Sequence, residues 1–512
     1  MSRTSVTSTL RHLPLRPVAL AAAAALLAGC SLIPAYQRPA APVAPQWPAT
    51  AGALPEGGSA AADLPWQDFV QDAQLRQLVG LALANNRDLR VAVQNIEAAR
   101  AQYQIRRADQ VPNFNATAGF SRSAPSALAA FGAPRVSQAY SVGVAMASWE
   151  IDFFGRVDAL KEQALAQYLA TEEARKSAQI SLVANVASAW LTLKTDTELL
   201  ALAERTLGTR QQTLQLTKLR FDNGASSALD LRQAESLSAT AAATRAQQQR
   251  LRAQDINLLT LLVGQAIPES LIPPVPAVQT PPPSNDASQP TPLVQPAADL
   301  PGFAQVPAGL PSDLLLRRPD VRAAEEQLIA ANANIGAARA AFFPRISLTA
   351  SLGHSSRELD NLFQASSRAW AFAPSLVLPI FDFGRNQANL DAARAQREIA
   401  VANYEKAIQT AFREVADALA GRATLADQYG ALQAQAEADR DRFRLSDLRY
   451  RNGVSSYLDL LDAQRSLYTT EQTLAQVRLQ QRANDVLLYK ALGGGWTEPP
   501  APAAAAAAPA SQ

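Results

Sequence analysis

Leu219-Arg220-Phe221-Asp222-Asn223-Gly224-Ala225-Ser226-Ser227-Ala228-Leu229-Asp230-Leu231 returns 229 residues later as Leu448-Arg449-Tyr450-Arg451-Asn452-Gly453-Val454-Ser455-Ser456-Tyr457-Leu458-Asp459-Leu460. The same offset carries Phe154-Gly155-Arg156 onto Phe383-Gly384-Arg385. An offset of 232 carries Asp88-Leu89-Arg90 through Pro112 onto Asp320-Val321-Arg322 through Pro344. Matches in this order mark an internal duplication. The 512 residues therefore read as two fused copies of one unit, not as the three or so separate domains that about 100–200 residues per domain would suggest.

Each quoted stretch reads as a helix end, a turn and a helix start. Asn223-Gly224 and Asn452-Gly453 supply a glycine for the left-handed position past a helix C-terminus. Ser227-x-x-Asp230 and Ser456-x-x-Asp459 resemble capping boxes, with each carboxylate at the positive end of a helix dipole. Proline sets the outer limits. None of the 33 Pro falls in 135–267 or 380–498, so each gap can hold very long helices. Ala, Gln, Leu, Arg and Glu dominate 156–222 and 385–451, which predicts two helices of 67 residues, each roughly 100 Å long. Return helices follow over about 226–263 and 455–491, completing hairpins 156–263 and 385–491. Helices before the strands, about 89–110 (within a helical stretch from about 70) and 320–341, supply the length the return helices lack. Between 268 and 311 there are 13 Pro in 44 residues, so 265–311 reads as an irregular linker between repeats 66–264 and 312–495. Residues 30–65 read as an extended arm, and the Pro/Ala-rich tail 496–512 as disordered.

Between the helices the period changes to two. Phe114, Ala116, Ala118 and Phe120 alternate with Asn115, Thr117, Gly119 and Ser121. Ile346, Leu348, Ala350 and Leu352 alternate with Ser347, Thr349, Ser351 and Gly353. A second run follows in each copy, giving strands at about 113–123, 138–151, 345–355 and 369–381. Alternation over about ten residues is the pattern of a membrane barrel strand, apolar outward and polar or small inward. Trp149, Trp370 and Phe381 near strand ends suit an aromatic girdle. The alternative is a soluble hairpin packed on one face. Four strands cannot close a barrel alone, and open edges in lipid leave backbone groups unpaired at several kcal/mol each. The smallest bacterial barrels have about eight strands. The chain must then associate through its sheets, and three chains give twelve strands around a lumen.

Composition excludes much else. Lys+Arg is 47 and Asp+Glu 45; without Arg3, Arg11 and Arg16 of the leader the balance is 44 to 45, which disfavours nucleic-acid binding. One Cys, two His and two Met leave no material for a Cys/His metal cage or a disulfide framework. Mean hydropathy is −0.08, unlike an ordinary helical membrane protein. No GxxxxGK[ST] phosphate loop is present, and no Ser/His/Asp arrangement, so neither an enzyme nor a cofactor is expected. At the N-terminus, three arginines precede an apolar run Val18–Leu27 too short to anchor. The run ends Leu27-Ala28-Gly29-Cys30, so 1–29 reads as a lipoprotein signal peptide with acylation of Cys30; an ordinary signal peptide is the plainer alternative.

These residues together resemble the TolC-type outer-membrane factors, in the lipoprotein branch that includes NodT/OprM-like exporters. The resemblance rests on the lipobox at Cys30, Pro34-x-Tyr36-x-x-Pro39, Trp66-x-x-Phe69, Asn85-Asn86-x-Asp88-Leu89, Leu316-Arg317-Arg318-Pro319-Asp320-Val321, Phe381-Asp382-Phe383-Gly384, and Tyr450-x-x-Gly453 with Leu460-Leu461-Asp462-Ala463. It runs from about 27 to 496 and departs at 277–300, where the connector is longer. It implies an α+β membrane protein: a homotrimer whose 12-stranded β-barrel, four strands per chain, continues as a long α-helical barrel. It implies a passive duct working with a periplasmic adaptor and an inner-membrane transporter, of the RND type, to carry drugs or other small molecules out, anchored to outer-membrane lipid through Cys30. The matching helix tips, Asn223, Gly224, Ser227, Leu229, Asp230, Asn452, Gly453, Ser456 and Leu458, are where the adaptor would dock. Asp459 and Asp462 would narrow the pore. Asp462 is Gln233 in the first copy, so capping does not require it; a solvated face or a helical pair with Arg465 is its plainer reading. Alternatives are a type I protein-secretion duct, a non-channel periplasmic coiled-coil lipoprotein scaffold, and a metal-efflux duct.

Overall fold

A computed structural model of the chain describes residues 31–48, 63–124, 136–276, 302–307, 317–452 and 454–496. The signal segment, Cys30, most of the connector, Gly453 and the tail lie outside the described residues. In order, the elements are α1 (Trp66–Phe69), α2 (Ala73–Asn85), α3 (Arg87–Ala108), β1 (Phe114–Ser123), β2 (Ser137–Ile151), α4 (Arg156–Asp222), α5 (Ala228–Val263), α6 (Pro319–Ala340), β3 (Arg345–Ser356), β4 (Arg368–Val377), α7 (Arg385–Arg451) and α8 (Tyr457–Ala491). No described helix is long and apolar enough to cross a membrane. The described residues sort into two compact units, one holding the strands (up to Ala40, Asn95–Thr171, Ala323–Tyr404) and one wholly helical in its regular structure.

In the strand unit, β1 to β4 form one antiparallel sheet in sequence order, so β1 and β4 are both open edges. The helix stretch expected from about residue 70 is two helices, not one. Asn86 is extended and breaks it; its side chain accepts from Leu89 N (2.9 Å) as a cap and donates to the Leu262 carbonyl (2.8 Å). The expected strand 369–381 also ends early, at Val377. Val377 pairs with Arg345, the first residue of β3, so 378–381 have no ladder partner among the described residues. Pro374 lies on this edge strand, where a missing N–H is tolerated.

The arm 31–40 lies along α6. Arg339 and Asn332 donate to the Leu32 and Pro34 carbonyls (3.3 and 2.7 Å). Gly336 meets Ile33 so closely that a Cβ would fall 2.6 Å from its side chain. Tyr36 donates to Glu325 (3.0 Å), and Arg38 forks onto the same carboxylate (2.7 and 2.8 Å). This explains the Pro34-x-Tyr36 motif as a docking strap. In the helical unit, Phe69 of the Trp66-x-x-Phe69 motif stacks on Tyr489 (3.8 Å between centroids) and on Phe303 (4.9 Å). Arg318 of the second motif is buried and holds Asp320 (2.6 Å), Glu414 (2.8 Å) and the Ala491 carbonyl (2.9 Å). Burial pushes the Asp320 carboxyl up, but the Arg318 bond and charge outweigh it and hold it below the usual carboxylate range.

Candidate functional site

The sheet separates two chemistries. Register places Phe114, Met146, Ala350 and Phe372 in one row and Ala116, Val144, Leu352 and Trp370 in the next on the same face. On this face Trp370 is 75 %, Phe114 64 % and Phe372 62 % exposed, while Met146 is covered by its neighbours. The opposite face carries rows such as Thr117, Gly143, Gly353 and Ala369. Gly143 and Gly353 face each other so closely that a Cβ on Gly143 would sit 2.6 Å from the Leu352 carbonyl oxygen. An apolar face largely exposed beside a small, polar one is what a barrel wall between lipid and water requires.

The alternation is kept by one irregularity. Met146 pairs with Ala350 and Trp149 with Leu348, so β2 uses one residue more than β3 over this step. The extra residue makes a β-bulge, with Ser148 at φ 38°. Without it, Trp149 and Ile151 would turn to the polar face, because side chains alternate strictly. The shift from even to odd apolar positions between Met146 and Trp149 was the sequence signal for it.

The helix tips repeat one design. At the first, Ala225 N donates to Arg220 O (2.8 Å) and Gly224 N to Phe221 O (2.9 Å), with Gly224 at φ 74°: a Schellman end. At the second, Val454 N donates to Arg449 O (2.9 Å). Asn223 and Asn452 each donate a side-chain bond four residues back (2.7 Å both). Full capping boxes form at Ser227/Asp230 and Ser456/Asp459. Hydrogen bonds from Ser227 hold the Asp230 carboxyl below its ordinary value. Leu229 and Leu458 cover nothing: they are 76 % and 66 % exposed. Arg220 joins the two tips, donating to Tyr450 (2.8 Å) while lying over its ring.

Asp462 sits on α8 and pairs with Arg442 of α7, not with Arg465. Arg442 also donates to Ser466 (3.3 Å). The first-copy counterparts of Arg442 and Asp462 are Thr213 and Gln233, so both partners differ together between the copies. Nothing local marks Arg442 in the sequence; its signal is the paired departure of both residues between the copies. Asp459 caps α8 and has no arginine partner in the geometry described. Higher up α4 and α5, the Asp196 and Asp255 carboxyls face each other. Burial, then the Asp196 charge, pushes Asp255 up to about 7. Cys30 and Gly453 lie outside the described residues. Among the described residues no cluster of three metal-ligating side chains occurs.

Comparison with known proteins fits this geometry. The family model described as outer membrane efflux protein matches residues 78–265 and again 310–494, once per copy. The antibiotic efflux pump outer membrane protein ArpC of Pseudomonas putida is 46 % identical over 94 % of this chain and 96 % of its own. Outer membrane protein OprJ of Pseudomonas aeruginosa is 46 % identical over 92 % of this chain and 94 % of its own. The open-state structure of the Neisseria gonorrhoeae MtrE outer membrane channel superposes with a TM-score of 0.78 at 41 % identity, over 91 % of this chain and 99 % of that one. Four strands, two long helical hairpins and a duplicated framework are therefore a TolC-like outer-membrane channel subunit, and the chain belongs to the outer membrane efflux protein family.

Proposed function

We propose that three copies of the chain close one twelve-stranded barrel and one helical tube, forming the passive exit duct of a tripartite efflux system. A periplasmic adaptor and an inner-membrane transporter of the RND type complete it, and the transporter supplies the energy. The cargo is small organic molecules of the antibiotic class, a reading supported by the name of the ArpC relative. Cys30 carries the lipid anchor, and the strap from Leu32 to Arg38 ties it to α6. The tips with exposed Leu229 and Leu458 receive the adaptor, and Asp459 and Asp462 line the periplasmic constriction.

The observation that carries this reading is the sheet with two open edges and an exposed apolar face. Such a sheet cannot stand in water or in lipid unless other copies complete it. The test is complementation. A host lacking its own outer-membrane duct but holding a matching adaptor and transporter should regain antibiotic resistance when this chain is expressed. A trimer that reaches the outer membrane yet restores no resistance with any of several RND pairs refutes the proposal.

A further inference from the structure

The small, polar face of the sheet is uncharged for most of its height. Among the described strand residues of this face only Glu150 and Arg345 are charged. The pairs Glu150–Ser347 and Arg345–Val377 place them there, at the strand ends next to the helices. A cavity of about 310 Å³ opens at this level, between the strand ends and the starts of α4 and α7. Small-molecule sites run from about 300 to 1,000 Å³. Part of its lining is aromatic: Phe154 stacks on Phe343 (4.8 Å between centroids), and Phe153 and Phe343 remain 38 % and 42 % exposed. The lining also brings together the guanidinium groups of Arg156, Arg345 and Arg385.

The carboxylates around the cavity are already engaged. Glu150 accepts two bonds from Arg156 (2.8 and 2.6 Å) and meets Arg345 at 3.2 Å. Asp152 accepts from the Arg156 and Asp158 backbone N–H groups (2.7 and 2.8 Å), and Asp382 from those of Gly384 and Asn386 (3.0 and 2.8 Å). Arg385 is left over: it is exposed, and its guanidinium meets no acceptor among the described residues. The duplication explains why. At the offset of 229, Arg156 maps onto Arg385 but Glu150 onto Pro379, so the second copy has the cation without its carboxylate. A guanidinium carries five donors and no acceptor, and its fork matches a carboxylate or a phosphate.

We infer that this cavity is a lumenal docking station for amphipathic organic anions: Arg385 and Arg345 take a carboxylate or phosphate of the cargo, and Phe153 and Phe343 its apolar body. The inference rests on the duct reading above and adds a chemical class of cargo and the level at which it pauses. Exposed arginines, screened by salt, hold such a solute loosely. A site on a conduction path must do so, because it has to release what it binds.

The test is equilibrium binding to the purified full-length protein, read by calorimetry and ligand-observed NMR, with naphthoate as the probe and naphthylmethanol as its neutral control. Wild type should bind naphthoate saturably and more tightly than the alcohol. Arg385→Gln should weaken naphthoate about tenfold, which is about 1.4 kcal/mol, and leave the alcohol unchanged; Arg385→Lys should recover part of the loss. Arg385 has no partner to lose, so both variants should melt like wild type. Phe343→Ala should weaken both probes. No saturable binding to folded wild type, or naphthoate binding untouched by Arg385→Gln, would overturn the site. Displacement of naphthoate by phosphatidylglycerol but not by phosphatidylethanolamine in nanodiscs would assign the arginines to a lipid headgroup and overturn the lumenal station. These readouts are independent of efflux. Binding without restored resistance in the complemented host keeps the site and refutes the duct; restored resistance without binding does the reverse.

Discussion

Arg442→Ala and Asp462→Ala separate two ways in which the pore could be kept shut. Asp462 could act as one carboxylate of an acidic ring, or as the anchor of a tie between α7 and α8. The side chains of the pair are 49 % and 58 % exposed, so it is a surface ion pair, worth about 0.2–1 kcal/mol. A trimer holds three, and if all break when the tips part, closure loses about 0.6–3 kcal/mol. At about 1.4 kcal/mol per decade, the open fraction rises about 3- to 150-fold. Single-channel conductance of the purified trimer in planar bilayers reads this directly. Entry of a large polar antibiotic into cells reads it in vivo. If the tie matters, both variants leak alike, and the double variant leaks no more than either. Salt should mimic them, since the Debye length falls to about 3 Å at 1 M. If Arg442→Ala conducts like wild type while Asp462→Ala leaks, the tie is refuted and the acidic ring remains. If neither leaks in a folded trimer, Asp462 has no part in closure.

Other parts of the chain make further predictions. Because the Asp255 carboxyl is raised in the folded state, that state binds more protons than the unfolded one between about pH 4 and 7. Stability should therefore fall as pH rises through that window and level off above it; Asp255→Asn should flatten the slope in melting curves from pH 4 to 8, and an unchanged slope contradicts the assignment. Arg318→Ala removes a buried guanidinium from Asp320 and Glu414, whose side chains are 40 % and 32 % exposed and stay hydrated, so the loss is that of charge-assisted bonds, about 1.5–3 kcal/mol; denaturant melting near wild type would be inconsistent with that. Gly336→Val should drive Ile33 off α6, seen as faster proteolysis within 31–38 while the trimer survives, and protection equal to wild type would count against the strap.

The sequence was most readable where punctuation is local. α4 and α7 run from Gly-Arg to Asn-Gly because glycine and proline bound them and nothing inside breaks them. The capping boxes were legible because Ser and Asp three residues apart satisfy helix donors by themselves. What was not legible depends on distant partners. Asn86 ends a helix by reaching the Leu262 carbonyl, 176 residues away, with no glycine or proline to announce it. The early end of β4 is set by where β3 begins, at Arg345, a partner more than thirty residues away. Arg442 looked like one more surface charge until the fold brought it to Asp462.

The duplication turns these differences into an argument about function. Features that any helical hairpin needs recur in both copies: Asn223 and Asn452, Ser227 and Ser456, Asp230 and Asp459. Arg442 and Asp462 do not recur, although Thr213 and Gln233 occupy the matching turns of α4 and α5. A pair absent from one of two similar hairpins is not required to fold a hairpin. If it serves to hold the tips together, supplying it to the first copy should strengthen closure. Thr213→Arg with Gln233→Asp would raise the ties in a trimer from three to six, each about 0.2–1 kcal/mol. The expected result is a lower open fraction in bilayers, reversed by salt, with neither single substitution sufficient. A folded double variant that conducts like wild type would show that the position of the pair, and not its bond, is what the second copy uses.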